Sequence, residues 1–105
     1  MSGAREVVES PVVQGSSERV AYRVDCSPWG TAASVVSFAL FDVTHRGAVD
    51  VTTAKCSGAA VRAGNVITTP AVQGLELGHV YRAECAFTDS LGNTLEWFLR
   101  ITCGD

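Results

Sequence analysis

Four cysteines are the residues of this chain with the widest range of possible chemistry: Cys26, Cys56, Cys85 and Cys103. No two of them have the short spacing of zinc knuckles, and neither histidine is near them in sequence, so a structural zinc site is not expected. A catalytic thiolate must be exposed beside a base. The alternation of apolar and polar residues instead places Cys26, Cys85 and Cys103 on the apolar faces of strands. We therefore expect reduced thiols that pack in the core as small hydrophobic groups.

The carboxylates do not form an acid–base pair in the sequence. They are spread over turns and outward strand faces, where solvated carboxylates are expected: Asp25, Asp42, Asp50, Glu84, Asp89 and Glu96. Asp42 and Asp50 flank a loop that calcium could occupy, but the D-x-D-x-D-G pattern of calcium loops is missing. The sequence also lacks a G-x-S-x-G nucleophile motif and a glycine-rich phosphate loop. We predict that the protein is not an enzyme and has no catalytic residue, cofactor or metal ion.

The two histidines, His45 and His79, both lie in turns that contain a glycine. Surface turn residues are the expected interpretation of both. The alternative is a role in pH sensing or in metal binding, because imidazole titrates near neutral pH and is a common metal ligand.

Length and charge restrict the class of protein. The 105 residues suffice for one domain, residues 1–105, and the formal net charge of -3 argues against a nucleic-acid surface. The first six residues are polar and form no apolar segment of a signal peptide. No apolar run approaches the length needed to cross a bilayer. We expect synthesis in a cytosol, where thiols remain reduced.

The C-terminal third has the clearest structural pattern. Residues 81–87 and 95–103 alternate between apolar and polar side chains, and residues 89–93 between them form a polar, glycine-containing break of hairpin length. A period of two over this length predicts a pair of half-buried antiparallel strands. One face of the pair is expected to hold Tyr81, Ala83, Cys85, Phe87, Leu95, Trp97, Leu99, Ile101 and Cys103.

Five earlier segments bring the prediction to about seven strands, with no convincing helix. They are residues 7–13, broken by a proline and therefore placed at an edge, and residues 19–26, 34–43, 49–56 and 65–72. Residues 57–64 are predicted to be a flexible connection. The pattern predicts an all-β fold of antiparallel, Greek-key type.

The turn into the penultimate strand resembles that of fibronectin type III and bacterial immunoglobulin-like domains, through Leu75, Leu77, Gly78 and Tyr81. The resemblance implies an immunoglobulin-like (fibronectin type III-like) antiparallel β-sandwich in which the tyrosine hydroxyl bonds nearby backbone. It also implies an alternative state for the cysteines. In immunoglobulin domains the strands corresponding to those of Cys26 and Cys85 carry a disulfide, although here the tyrosine precedes the cysteine by four residues rather than two.

Over most of the chain after residue 18, the sequence is similar to small immunoglobulin-like fibre–tail adaptor proteins of tailed phages. The matching positions are Tyr22, Asp25, Ser27, Trp29, Gly78, Tyr81, Gly92 and Ile101. The resemblance implies a virion structural protein, assembled in the bacterial cytoplasm, that docks to other virion proteins and can form a homo-oligomer there. It implies no catalytic site, nucleic-acid contact or membrane contact. A capsid decoration (cement) protein and a carbohydrate- or cell-surface-binding module are the alternatives.

Five residues are the candidates for partner contact. Pro28 and Trp29 lie in one turn and Asp89 and Asn93 bound the hairpin tip, two loops that share an end of the immunoglobulin arrangement. Trp29 could equally close the end of the core. Phe98 is an aromatic residue on an outward strand face, either covered by a neighbouring strand or exposed.

The outward faces carry alternating charges. Exposed ion pairs across neighbouring strands are predicted among the charges of three strands: Arg23 and Asp25, Arg82 and Glu84, and Glu96 and Arg100.

Overall fold

The computed structural model describes residues 4–6 and 11–104. Strands dominate this part of the chain, which confirms the predicted all-β class. The strands are β1 Ala4–Glu6, β2 Val12–Gln14, β3 Arg23–Asp25, β4 Ala32–Asp42, β5 Val49–Asp50, β6 Cys56–Ser57, β7 Val61–Ala63, β8 Val66–Thr68, β9 Ala71–Val72, β10 Val80–Asp89 and β11 Thr94–Cys103. A 3₁₀ turn, Ser27–Trp29, and one helical turn, α1 Thr52–Lys55, complete the described elements.

The main sheet has the order β1-β11-β10-β4-β5, with β2 also alongside β11. Its centre is the predicted hairpin: β10 and β11 pair antiparallel from Val80 opposite Thr102 to Thr88 opposite Thr94. β4 pairs antiparallel with the other side of β10. The predicted alternation is confirmed, because the odd-numbered residues of β10 from Tyr81 to Phe87 are buried and the even-numbered ones are only half-buried.

The N-terminal strands lie at an edge of the main sheet, as predicted for the segment that contains the proline, although β1 precedes the predicted bounds of 7–13. β1 and β2 lie on either side of Pro11, and both pair with the outer side of β11. Both run parallel to β11, whereas a uniformly antiparallel fold was predicted. The remaining part of the predicted strand, residues 7–10, lies outside the described residues.

The shorter strands form two small antiparallel sheets, β3-β8-β7 and β6-β9. A single bridge from Val20 to Val72 links the segment before β3 to β9. Several predicted boundaries were wrong here. The predicted strand 65–72 is interrupted at Thr69 and Pro70, because proline has no N–H for a ladder, and the predicted connection 57–64 contains β7.

The prediction of a strand over residues 49–56 was also wrong. This segment is β5, then α1, then the first residue of β6. The Asp50 carboxylate accepts hydrogen bonds from the Thr52 N–H at 2.9 Å and from its hydroxyl at 2.7 Å. Such a side-chain bond offers the backbone an alternative to a strand ladder, and it starts the helical turn.

The core lies between the main sheet and the small sheets, an arrangement consistent with a β-sandwich. Its largest fully buried side chains from the main sheet are Trp97, Tyr81 and Phe87, and the small sheets contribute Ile67 and Val72. Burial of this apolar surface is the principal stabilising term of such a fold.

One polar side chain is buried with them. Gln14 donates to the carbonyl of Val72 at 2.8 Å and to that of Glu18 at 3.1 Å, and accepts from the Tyr22 hydroxyl at 2.6 Å. The amide is therefore satisfied on both sides, which removes most of the cost of burying it. The contact joins β2 to the segment that precedes β3.

The turn before β10 has the backbone contact that the resemblance implied. The Tyr81 hydroxyl accepts a hydrogen bond from the Glu76 N–H at 2.9 Å. The next turn residue, Gly78, donates its N–H to the Cys103 carbonyl at 3.0 Å, so the turn is also tied to the end of β11. Within residues 4–6 and 11–104, no helix has the length and apolar character needed to span a membrane.

Candidate functional site

Two loops that the sequence singled out meet at one end of the main sheet. The Ser90 N–H donates to the Thr31 carbonyl at 2.9 Å, which joins the hairpin between β10 and β11 to the segment after the 3₁₀ turn. Gly30 adopts a φ of 143°, which side-chain-bearing residues rarely do, and lies beside Asp89. The structure therefore brings Pro28 and Trp29 together with the hairpin tip. We call these two segments, residues 27–31 and 89–93, the loop cluster.

Trp29 combines the two roles considered for it. Its N–H donates to the Cys26 carbonyl at 2.9 Å, and its ring is tilted by 35° on Phe87 at a centroid distance of 6.5 Å. The ring thus covers the end of the core while the residue stays half-exposed. Pro28 occupies the first turn of the 3₁₀ segment and is exposed. An aromatic ring held in this way loses little conformational entropy when it contacts a partner.

Asp89 and Asn93 determine the shape of the hairpin tip. One carboxylate oxygen of Asp89 accepts from the N–H of Asn93 at 2.8 Å and of Leu91 at 3.0 Å, and the other accepts from the Asn93 amide at 3.1 Å. The hydrogen bond from the Asn93 N–H contributes most to lowering the pKa of Asp89, and the bonds from the Asn93 amide and the Leu91 N–H lower it further. Both side chains are therefore occupied within the loop.

Leu91 is the residue that these bonds present to solvent, and sequence analysis missed it. Its residue surface is 85% exposed, the largest fraction among the exposed large hydrophobic residues. Gly92 follows with a φ of 86°, which fixes the turn beyond it. The signal was available in the sequence, since a leucine inside a polar turn contributes nothing to the core.

The base of the loop cluster depends on a second residue that sequence analysis missed. Asn65, in the turn between β7 and β8, accepts from the Ala32 N–H at 3.1 Å and donates to the Ser27 hydroxyl at 3.2 Å. Its carbonyl accepts from the Cys26 N–H at 2.8 Å. Both ends of the 3₁₀ turn are therefore attached to the small sheet, and the cluster has a fixed base.

Phe98 is separate from the loop cluster. It lies on the outer face of β11, half-buried, with the Arg82 guanidinium 3.9 Å from its ring centroid. Arg82 Nε is 2.8 Å from a Glu84 carboxylate oxygen, so this predicted charge pair forms, although within β10 rather than between strands. The ring is thus partly covered by a cation, a favourable arrangement for its π face.

The Asp25 carboxylate bonds the chain immediately after its own strand, whereas an ion pair across strands was predicted. It accepts from the Ser27 hydroxyl at 2.6 Å and from the Ser27 N–H at 2.9 Å. Both bonds lower the pKa of Asp25, and the bond from the Ser27 hydroxyl has the larger effect. The effect is to start the 3₁₀ turn that positions Trp29.

All four cysteines are free thiols in the structure, and three are buried. Burial raises the pKa of Cys26 and Cys56 to about 11 and that of Cys85 to about 12. After burial, the charge of the Cys26 thiolate also contributes to the raised pKa of Cys85. The indole Nε1 of Trp97 is buried near Cys26 and makes no hydrogen bond of good geometry within the described residues. At neutral pH these thiols are un-ionised, the state of inert core cysteines.

No protein-family model matches the chain, and no curated protein or solved structure is significantly similar to it.

Proposed function

We propose that this chain is a non-catalytic, immunoglobulin-like structural protein of a tailed-phage virion, an adaptor that docks tail, fibre or head–tail proteins through the loop cluster. The similarity to fibre–tail adaptors at positions such as Tyr22, Trp29 and Tyr81 supports the class of particle. The hydrogen bond from the Glu76 N–H to Tyr81 and the two-layer arrangement of strands support the immunoglobulin-like fold.

The observation that carries the proposal is the presence of two solvent-accessible anchors, Leu91 and Trp29, in the same loop cluster. Leu91 is 85% exposed at a hairpin tip whose backbone bonds the Asp89 carboxylate, and Trp29 is half-exposed in the other segment of the cluster. Exposed apolar side chains cost solubility and contribute nothing to folding, so their concentration on a rigid loop pair favours a contact surface. Aromatic and apolar anchors at the centre of a patch supply most of the energy of protein–protein interfaces.

The same geometry favours docking over catalysis and over carbohydrate binding. The carboxylate of Asp89 is engaged by three donors of its own loop, so it has little capacity to act as an acid or base. Sugar sites use several aromatic rings in one place, whereas Trp29 and Phe98 are on different parts of the surface.

A photocrosslinking amino acid at position 91 tests the proposal in assembled particles. Leu77 is the matched control, because it is also an exposed leucine that precedes a glycine, in the turn at the opposite end of β10. Particles are purified from the bacterium whose phage or prophage carries the gene, and crosslinked peptides are identified by mass spectrometry. We expect position 91 to crosslink to a tail, fibre or head–tail protein, and position 77 to crosslink at least about tenfold less.

Two other results would contradict the adaptor role. Crosslinks to the major capsid protein, also in particles without tails, would indicate a cement protein. Absence of the chain from purified particles would reject virion function altogether. As a second measurement, Leu91→Asp should prevent incorporation while leaving the free energy of unfolding within about 0.5 kcal/mol, because the side chain is outside the core.

A further inference from the structure

Three potential metal ligands converge at the end of the main sheet opposite the loop cluster. Asp42 is the last residue of β4, and Glu76 and His79 belong to the turn before β10. His79 Nδ1 is 2.8 Å from Asp42 Oδ2 and 3.5 Å from Glu76 Oε2. The three donor atoms all lie within 4.8 Å of one another. They are accessible from solvent, with Glu76 the most exposed of the three.

The Asp42 carboxylate is oriented by its neighbours. Its Oδ1 atom accepts from the Thr44 N–H at 3.0 Å and from the Thr44 hydroxyl at 2.6 Å. The same hydroxyl oxygen accepts from the Val80 N–H at 2.8 Å, which ties Thr44 to the start of β10. Oδ2 is left to face His79.

The other two residues are held by the backbone of the turn. The Glu76 N–H donates to the Tyr81 hydroxyl at 2.9 Å, and the Glu76 carbonyl accepts from the His79 N–H at 3.0 Å. The His79 carbonyl accepts from the Cys103 N–H at 2.9 Å. The His79 ring is also stacked on Tyr81 at a centroid distance of 6.2 Å. The backbone of each donor residue is therefore fixed, a prerequisite for a preformed site.

The set of donors selects the class of cation. One imidazole nitrogen with two carboxylate oxygens suits zinc and other first-row divalent ions, whereas magnesium and calcium prefer sets made of oxygen alone. Zinc–ligand bonds of about 2.0–2.2 Å place the ligands of a tetrahedral ion roughly 3.3–3.6 Å apart. The separations of His79 Nδ1 from the two carboxylates, 2.8 and 3.5 Å, require only small adjustments to reach this value. The two carboxylates lie within 4.8 Å of each other, so the side chain of Glu76 must move closer to Asp42 when the ion binds.

We propose that Asp42, Glu76 and His79 form a binding site for a divalent first-row transition cation such as Zn²⁺, with Asp42 Oδ2, Glu76 Oε2 and His79 Nδ1 as ligands. Without the ion, His79 Nδ1 carries the proton that lies between the imidazole and the Asp42 carboxylate, because an ionised carboxylate only accepts. The ion takes the place of that proton, and the imidazole then carries its proton on Nε2. Glu76, whose side chain is 62% exposed, is free to make the largest adjustment.

The site extends what the sequence suggested for the histidines. Metal binding was the alternative for His79, and the general expectation was that no metal binds. The ligands are distant in the chain, since His79 and Asp42 are 37 residues apart. The ring of His45, an exposed residue, is nearly perpendicular to that of His79, with centroids 5.9 Å apart. An ion here would join the end of β4 to the turn before β10, independently of the loop cluster.

Isothermal titration of the full chain with ZnCl₂ at neutral pH tests the proposal, with MgCl₂ and CaCl₂ as comparison. We expect one Zn²⁺ per chain and no binding of Mg²⁺ or Ca²⁺ at the same concentrations. Asp42→Asn should weaken Zn²⁺ binding at least about tenfold. Absence of Zn²⁺ binding by the folded chain would overturn the proposal.

Asp50→Asn is the matched control. Like Asp42, Asp50 accepts two hydrogen bonds from the threonine two residues later, at 2.9 Å from the Thr52 N–H and 2.7 Å from its hydroxyl. It lies on β5, across the loop that follows Asp42 and β4. It should bind Zn²⁺ as the unmodified chain does. Equal weakening by both substitutions would attribute the effect to lost charge and would reject the site.

Two further measurements exclude misfolding and zinc binding by the cysteines as explanations. Glu76→Gln alters an exposed side chain, so it should weaken Zn²⁺ binding in a protein with an unchanged circular dichroism spectrum. Co²⁺ in place of Zn²⁺ should give visible d–d absorption without a thiolate-to-metal charge-transfer band. Such a band would identify cysteine ligands and contradict the assignment, as would unchanged binding by Glu76→Gln.

Discussion

The Tyr81 hydroxyl accepts the Glu76 N–H at 2.9 Å, so the first buried residue of β10 organises the turn that precedes its own strand. The contact joins a core side chain to the backbone of an exposed residue five positions earlier. It fixes the direction in which the chain enters the main sheet. The turn is therefore attached to the start of β10.

Replacing this hydroxyl tests its contribution. Tyr81→Phe keeps the buried ring and removes the acceptor of the Glu76 N–H, so we expect a loss of about 1 kcal/mol in the free energy of unfolding. Urea denaturation followed by tryptophan fluorescence measures it. A change below about 0.3 kcal/mol would mean that water replaces the hydroxyl at no cost.

Tyr22→Phe removes a hydroxyl whose partner, the buried Gln14, is less exposed than Glu76, the partner of Tyr81. Gln14 would lose the donor 2.6 Å from its carbonyl oxygen, while its side chain remains in the core. A buried acceptor without a donor costs about 1–3 kcal/mol. We therefore expect Tyr22→Phe to destabilise the protein more than Tyr81→Phe does in the same urea series. The reverse order would show that Gln14 finds another donor.

Asp89→Ala should loosen the hairpin tip without unfolding the sheet. It removes the acceptor for two backbone N–H groups and for the Asn93 amide. We expect faster amide hydrogen exchange at residues 90–93 and unchanged exchange in the middle of β10. Ser90→Ala is the control, because it keeps the Ser90 N–H that donates to Thr31. Equal exchange in Asp89→Ala and the unmodified chain would refute the role of Asp89.

The raised pKa values of the buried thiols predict that the protein loses stability at alkaline pH. The folded-state pKa values of Cys26 and Cys85, about 11 and about 12, are raised above the ordinary value of 9.0. A raised folded pKa contributes stability that is complete below the unfolded value and is lost as pH rises toward the folded value. The urea midpoint should therefore fall between pH 9 and 11, and less steeply in Cys85→Ala than in the unmodified chain. Parallel curves for both proteins would exclude Cys85 as a cause of the loss.

The oxidation state of the cysteines is a separate prediction. We expect four reactive thiols per chain after unfolding in urea without reductant, and slow labelling of the native protein at pH 8 because the thiolate is scarce. Two missing thiols and a linked Cys26–Cys85 peptide in the mass spectrum would establish the immunoglobulin-type disulfide instead. In a chain-entropy model such a bond would add about 4 kcal/mol of stability.

The alternating pattern of residues 80–103 was sufficient to predict β10, β11 and the hairpin between them. A slip of one residue would turn the apolar face to solvent, and the length of the hairpin loop fixes the rest of the register, so local sequence determines the pairing there. The Tyr81 contact is likewise local, since its partner is five residues away. The apolar run 34–43 likewise predicted β4, Ala32–Asp42, whereas the weaker patterns between residues 49 and 72 did not suffice. Thr52 and Pro70 changed the structure of their segments through local hydrogen bonding and a missing N–H, effects that hydrophobic periodicity does not report.

Only the tertiary structure decided which distant polar groups meet. The sequence gives no indication that Asn65 holds the turn at Ser27, or that Asp42 faces His79, because these contacts depend on how strands from different parts of the chain are ordered in the sheets. The sequence showed which polar residues could take part, and the immunoglobulin-like arrangement it resembles predicted that Trp29 and the hairpin tip lie at the same end. Their distances and their exposure follow from long-range packing, which sets the positions of loops through the sheets that carry them.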